Sequence, residues 1–161
     1  MTVFISHRQA DSDLARIIAD YLHKRGIPYY LDVLDSNIIS SDITTKMIQM
    51  LNKCTHLLAV LSHNTEGSWW VPFEIGGATL INRRIASYSY DRIQLPDYLQ
   101  QWPNMYSLPH LDAFIMAYKA DQETASFESY TGRLDSDLGL SRIGAYQFHN
   151  NLKAALSMQN Y

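Results

Sequence analysis

Three times in the first half of the chain, a short apolar run gives way to a polar cluster and then to a segment with helical spacing. Thr2-Val3-Phe4-Ile5-Ser6 is β-branched and aromatic and stops at His7-Arg8-Gln9-Ala10-Asp11, which predicts a buried strand beginning almost at Met1. From Ser12, apolar residues fall at Leu14, Ile17, Ile18, Tyr21 and Leu22, the i, i+3, i+4, i+7, i+8 stripe of a one-faced helix. Asp11 or Ser12 is its expected cap, and Lys24-Arg25-Gly26 supplies a cationic last turn with a left-handed stop residue. Residues 27–33 predict a second strand, with Pro28 tolerated at its beginning. A polar loop then leads to a helix with Ile43, Met47, Met50 and Leu51 on one face. The third run, 56–62, is almost continuously apolar, as a central parallel strand covered on both faces must be. A turn-rich loop follows, then a predicted helix over 69–84 with Pro72 in its first turn.

Strand and helix alternate, so the expected fold class is α/β: a parallel sheet joined by right-handed crossovers, with helices on both faces. Ligands of such sheets bind at the carboxyl ends of the strands, which singles out the loops beginning at Ser6, Asp32 and Ser62. Beyond Arg84 the pattern is fainter. It predicts a fourth strand over 85–88, a helix start at 97–99, a helix over 111–119 carrying Leu111, Ile115 and Tyr118, and a polar, irregular connection over 120–140. A last helix over 144–158 would place Tyr146, Leu152 and Leu156 in the core. Trp102, Tyr106, His110 and Tyr118 are open between core, pocket lid and partner surface. No repeat or linker divides the chain, so residues 1–161 read as one domain.

Composition narrows the classes of function. The chain has 161 residues, 47% of them hydrophobic, with 13 Lys+Arg against 16 Asp+Glu and a net charge of −3. One ordinary domain fits that length, and no basic field exists to neutralise a nucleic-acid backbone. Cys54 is the single cysteine, which excludes a disulfide framework and a cysteine-based zinc site. No apolar run approaches the roughly 20 residues that span a bilayer, so the expectation is a cytoplasmic protein with no membrane partner.

Familiar catalytic signatures are absent. Neither GxGxxG nor GxxxxGK[ST] occurs, and Gly76-Gly77 falls inside a helix rather than after a strand. GxSxG and HExxH are missing too. The six histidines are scattered without metal spacing, and each except His7 reads as a surface or hydrogen-bonded histidine. A phosphorelay receiver, which needs an acidic pair after strand one and an acceptor Asp after strand three, is ruled out by Ser6-His7-Arg8 and Ser62-His63-Asn64. What remains is Ser68-Trp69-Trp70-Val71-Pro72-Phe73-Glu74-Ile75 at the opening of a helix on the ligand side. Residues i and i+4 share a helix face, so Trp70 and Glu74 should address the same space. Two packing tryptophans and a solvated glutamate would satisfy the same spacing, and the pattern alone leaves both readings open.

Taken together these segments resemble a family. Val3-Phe4-Ile5-Ser6-His7-Arg8 is similar to the opening strand and loop of TIR domains, Tyr30-Leu31-Asp32-Val33 to their second strand, and residues 55–62 to their third. Residues 68–75 resemble the S-x-W-C-L-x-E-L box, with Val71 in place of the usual Cys and an atypical Pro72. The likeness is best over 1–90, leaving 91–161 as C-terminal helices and connection. It implies a flavodoxin-like TIR fold and, for the enzymatic branch, cleavage of NAD⁺ as substrate with no cofactor and no metal. Glu74 would be the catalytic residue, Trp70 would pack against nicotinamide or ribose, and Ser6, His7, Arg8 and Asp32 would bind substrate, Arg8 pairing with the diphosphate. The product would be ADP-ribose or a cyclic isomer. With nothing evident fused to it, the chain resembles stand-alone bacterial TIR proteins of Thoeris-type antiphage defence, whose product is sensed by a separate effector. Self-association through the BB loop, about residues 35–41, is implied as well. Two other readings stay open: a non-catalytic TIR adaptor or mimic, and deoxyribosyltransferase-like chemistry, which explains Glu74 but not the Phe4-Ile5-Ser6-His7-Arg8 opening.

Overall fold

In a computed structural model, which describes residues 1–31, 42–65, 70–90, 93–130 and 137–159, five parallel strands form one sheet in the order β2-β1-β3-β4-β5. The strands are β1 (Val3–Ser6), β2 (Tyr29–Leu31), β3 (His56–Leu61), β4 (Arg84–Ser89) and β5 (Asn104–Met105). The helices are α1 (Ser12–His23), α2 (Asp42–Lys53), α3 (Trp70–Leu80), α4 (Leu108–Tyr130) and α5 (Asp137–Met158). This is the flavodoxin-like architecture expected of a TIR fold.

The two-residue period of a strand sorts the core into two layers. Val3 and Ile5 of β1 with Leu58 and Val60 of β3 pack against α1, α4 and α5 through Ile18, Leu22, Phe114, Tyr118, Phe148 and Leu152. Phe4, Leu57, Ala59 and Leu61 project to the opposite face and meet Met47 and Leu51 of α2 and Val71, Ile75 and Ala78 of α3. β1 and β3 are therefore buried on both sides, which their continuous apolar runs require.

Several expectations need correction. Only Ile18 and Leu22 of the α1 stripe are fully buried; Ile17 is 57% exposed, and Ala15 and Ala19 complete the packed face instead. Ala15, Ile18, Ala19 and Leu22 stand at i, i+3, i+4 and i+7, so the buried stripe runs through the alanines and leaves Ile17 beside it. Neither expected side chain caps α1: the Asp11 carboxylate makes no cap bond, and Ser12 donates to the Gln9 carbonyl. Gly26 does end that helix region in a left-handed conformation (φ 72°), with the Ile27 amide donating to Leu22 O. α3 stops at Leu80 rather than residue 84, because the chain turns through Asn82 at φ 53° and Arg84 already belongs to β4. Residues 120–130, expected to be irregular, continue α4. Tyr146 is 68% exposed, whereas Leu152 and Leu156 are buried. The two-residue β5 carried no legible signal. Tyr118 is core and Trp102 packs on the α2–α3 layer; the His110 ring accepts the Tyr106 amide, and Tyr106 itself is partly exposed. The expected strand end at residues 32–33 and the loop at 35–41 lie outside the described residues.

Candidate active site

Between β1 and β3 the chain reverses its direction of progress across the sheet, since β2 lies on one side of β1 and β3 to β5 on the other. Such a switch point opens a crevice at the carboxyl ends of the two strands. Ser6 is the last residue of β1, paired in register with Ala59, and by alternation it shares the α2–α3 face with Phe4.

α3 brings a carboxylate to that point. Its first turn accommodates Pro72, whose missing N–H would have had no intrahelical partner there. Val71, Ile75 and Ala78 bury themselves against the sheet, and Glu74, among them in sequence, is carried inward until only 1% of its surface is exposed. The Ser6 hydroxyl donates to Glu74 Oε2. Two residues 68 positions apart thus meet in the interior, at the end of the sheet where ligands bind.

The other predicted residues are placed around this pair. His7 is buried, its Nε2 lies 3.3 Å from Ser12 Oγ, and burial pushes its pKa down, so at neutral pH the ring is uncharged. Arg8 is exposed at the rim, and its guanidinium donates to the carbonyl of Asn64. Residue 70 opens α3, one turn before Glu74; the Trp70 side chain and Asp32 lie outside the described residues.

Sequence reasoning missed the group that ties the β1 and β3 loops together. The Asp11 carboxylate, buried, accepts from Ser62 Oγ at 2.8 Å to each oxygen and from Asn64 Nδ2 at 2.7 Å. Ser62 in turn accepts the Asn64 amide at 3.0 Å. Turn-forming polar residues after both strands were the available signal, but they read as a cap and a loop rather than as partners.

Beside the first turn of α3 a cavity of about 260 Å³ is lined by Leu61, Val71, Pro72, Ile75, Leu95 and Tyr98 among others. Among the described residues no group of three or more His, Cys, Asp or Glu is placed to hold a metal ion. Nor, among them, is any helix long and apolar enough to cross a membrane.

A doubly wound parallel sheet with a buried carboxylate at its β1/β3 switch point defines the class of the protein. Its family follows from the sequence: residues 3–124 match the model of the TIR domain family, and the chain belongs to that family. No curated protein matches it. Among solved structures it is similar to the TIR domains in a structure titled as the activated Roq1 resistosome directly recognizing the pathogen effector XopQ. That likeness has 14% identity and a TM-score of 0.48, over 95% of this chain and 81% of the other.

Proposed function

We propose that the chain is an NAD⁺ nucleosidase that cleaves the bond between nicotinamide and ribose, with Glu74 as its catalytic residue. The observation that carries this reading is the buried carboxylate of Glu74, held by Ser6 at the ligand end of the sheet. Membership of a family with an NAD⁺-cleaving branch supports it.

One carboxylate is enough for this chemistry. An ordinary glycosidase needs an acid to protonate the departing oxygen as well as a nucleophile or base. The nicotinamide of NAD⁺ already carries positive charge and departs neutral, so no general acid is required. As the bond breaks, positive charge develops on the anomeric carbon, and a fixed carboxylate beside it stabilises the transition state more than the ground state. Trp70 would pack against the nicotinamide or ribose, and Asp32 would hydrogen-bond a ribose hydroxyl. Arg8, exposed at the rim, would exchange its bond to the Asn64 carbonyl for the diphosphate, while neutral His7 would offer a hydrogen-bonding edge to the base or phosphate. Water capture yields ADP-ribose and internal capture yields a cyclic isomer; no metal or further cofactor enters either step.

The role that fits is signalling in bacterial antiphage immunity of the Thoeris type, in the cytoplasm, with a cyclic ADP-ribose-type product read by a separate effector. Assembly through the loop at about residues 35–41 would switch the activity on. A second reading, a non-catalytic TIR–TIR interaction module, is favoured by one observation: Ile48, Phe73 and Leu80 are exposed around a large apolar groove between α2 and α3.

The test is incubation of the purified protein with NAD⁺, with and without a crowding agent or infected-cell lysate, and chromatographic resolution of the products. NAD⁺ loss that disappears in Glu74→Ala supports the enzyme. No loss under any activating condition supports the interaction module, and loss that persists in Glu74→Ala overturns the assignment of Glu74.

A further inference from the structure

We infer that Ser6 is the positioning residue of Glu74: its hydroxyl holds the carboxylate in one orientation and keeps it in the charged form that the chemistry needs. This rests on the reading of Glu74 above, and it gives Ser6 a role different from substrate binding.

Ser6 is wholly buried and stands on a sheet face whose other contributors, Phe4, Leu57, Ala59 and Leu61, are apolar. A buried hydroxyl without a partner is costly, and its donated bond goes to Glu74 Oε2. Serine occupies the last position of β1, where the backbone is fixed by pairing with β3 through Ala59 and the flanking register of β2. The donor is therefore mounted on a strand paired in register, whereas the acceptor sits at the end of three rotatable bonds on α3. The strand sets the place and the helix supplies the charge.

Burial and hydrogen bonding act on a carboxylate in opposite directions. Removing it from water favours the protonated form, and a hydrogen bond donated to it favours the anion. A protonated carboxyl has no charge to offer a cationic sugar, so a donor at this position matters for ionisation as well as for aim. The Ser6 hydroxyl is wholly buried and already donates to Glu74, which favours positioning over direct binding.

The chain contains four glutamates, so selective ¹³C labelling of glutamate carboxyls gives a spectrum in which Glu74 is assigned by its absence in Glu74→Gln. Ser6→Ala should raise the titration midpoint of that signal by roughly one pH unit. In the NAD⁺ assay it should lower kcat about 10-fold or more with KM within about 3-fold, and shift the acid limb of the pH–rate profile upward. Ser6→Thr, which keeps the hydroxyl, should restore the limb toward its original position. A Glu74 signal that titrates identically in wild type and Ser6→Ala overturns the inference, as does a loss of activity in Ser6→Ala with an unmoved pH profile. The carboxyl titration reads Ser6 even in a protein that does not cleave NAD⁺, so failure of the proposed function and failure of this inference are separate results.

Discussion

Gly144→Ala should destabilise the protein, although alanine is the better helix former. Gly144 lies within α5, and a Cβ there would stand 2.3 Å from Arg84 Nη2, 3.1 Å from Arg84 Cζ and 3.7 Å from Asp121 Oδ1. An arginine tip normally moves aside, but this one is held: Arg84 Nε is 2.9 Å from Asp121 Oδ2 and Nη2 is 3.1 Å from Oδ1, with side chains only 11% and 8% exposed. Placing alanine for glycine in a helix interior gains about 1 kcal/mol. Breaking a buried ion pair while leaving both charges inside costs about 3–5 kcal/mol. The net expectation is a loss of about 2–4 kcal/mol, which for a domain of this size lowers Tm by roughly 5–15 °C. Urea titration followed by circular dichroism checks it, with a lower midpoint and an unchanged slope. In a background carrying Arg84→Leu and Asp121→Leu the penalty should vanish and the propensity gain should appear. A Gly144→Ala protein more stable than wild type would refute the reasoning, because the helix propensity would then have outweighed the clamp.

Three further outcomes follow from the same structure. His56 and His149 are both held neutral, chiefly by burial, and the His149 pKa is lowered to about 4. The unfolded chain binds protons at these histidines near pH 6.5 while the folded chain does not, so stability should be level above about pH 6.5. It should fall between there and about pH 4, by at most about 1.4 kcal/mol per pH unit for each histidine. His149→Gln, which keeps an acceptor for the Ile85 amide now 2.8 Å from Nε2, should flatten that slope in thermal melts across the range. Ser62→Ala removes a donor from the buried Asp11 carboxylate and should cost about 1–3 kcal/mol in a urea titration. Arg8→Ala, at an exposed position, should leave stability within about 0.5 kcal/mol and raise the KM for NAD⁺ about 10-fold; an unchanged KM would remove Arg8 from the diphosphate site.

The parts of the fold that were legible are those where one physical rule dominates. β1 and β3 are covered on both faces and therefore read as unbroken apolar runs, and Gly26 ended α1 because its φ of 72° is strained for a side chain. The meeting of Ser6 with Glu74 was half legible: the helix register pointed to the carboxylate, but a contact across 68 residues is a product of strand order, which local patterns do not encode. The same holds for Asp11, whose carboxylate looked like a cap until the β3 loop came within reach of it. In the second half, α4 extends through polar residues 120–130, where a hydrophobic period is lacking; its residue Asp121 anchors Arg84 instead. A helical extension anchored by a buried ion pair gives no periodic signal.

The interest of the Arg84–Asp121 clamp for function is mechanical. It joins α4 to the amino end of β4, where Arg84 is paired in register with His56 of β3, while Ser6 and Glu74 meet at the opposite, carboxyl end of the sheet.

The central claim, that Glu74 is the carboxylate of an NAD⁺-cleaving site, is tested most directly by Glu74→Gln. That change keeps the shape and a hydrogen-bond acceptor for Ser6 while removing the charge. The account predicts that the folded variant, at unchanged thermal stability within about 1 kcal/mol, loses about 10²-fold or more of nicotinamide release from NAD⁺ under activating conditions. Nicotinamide released at the wild-type rate by Glu74→Gln would contradict it.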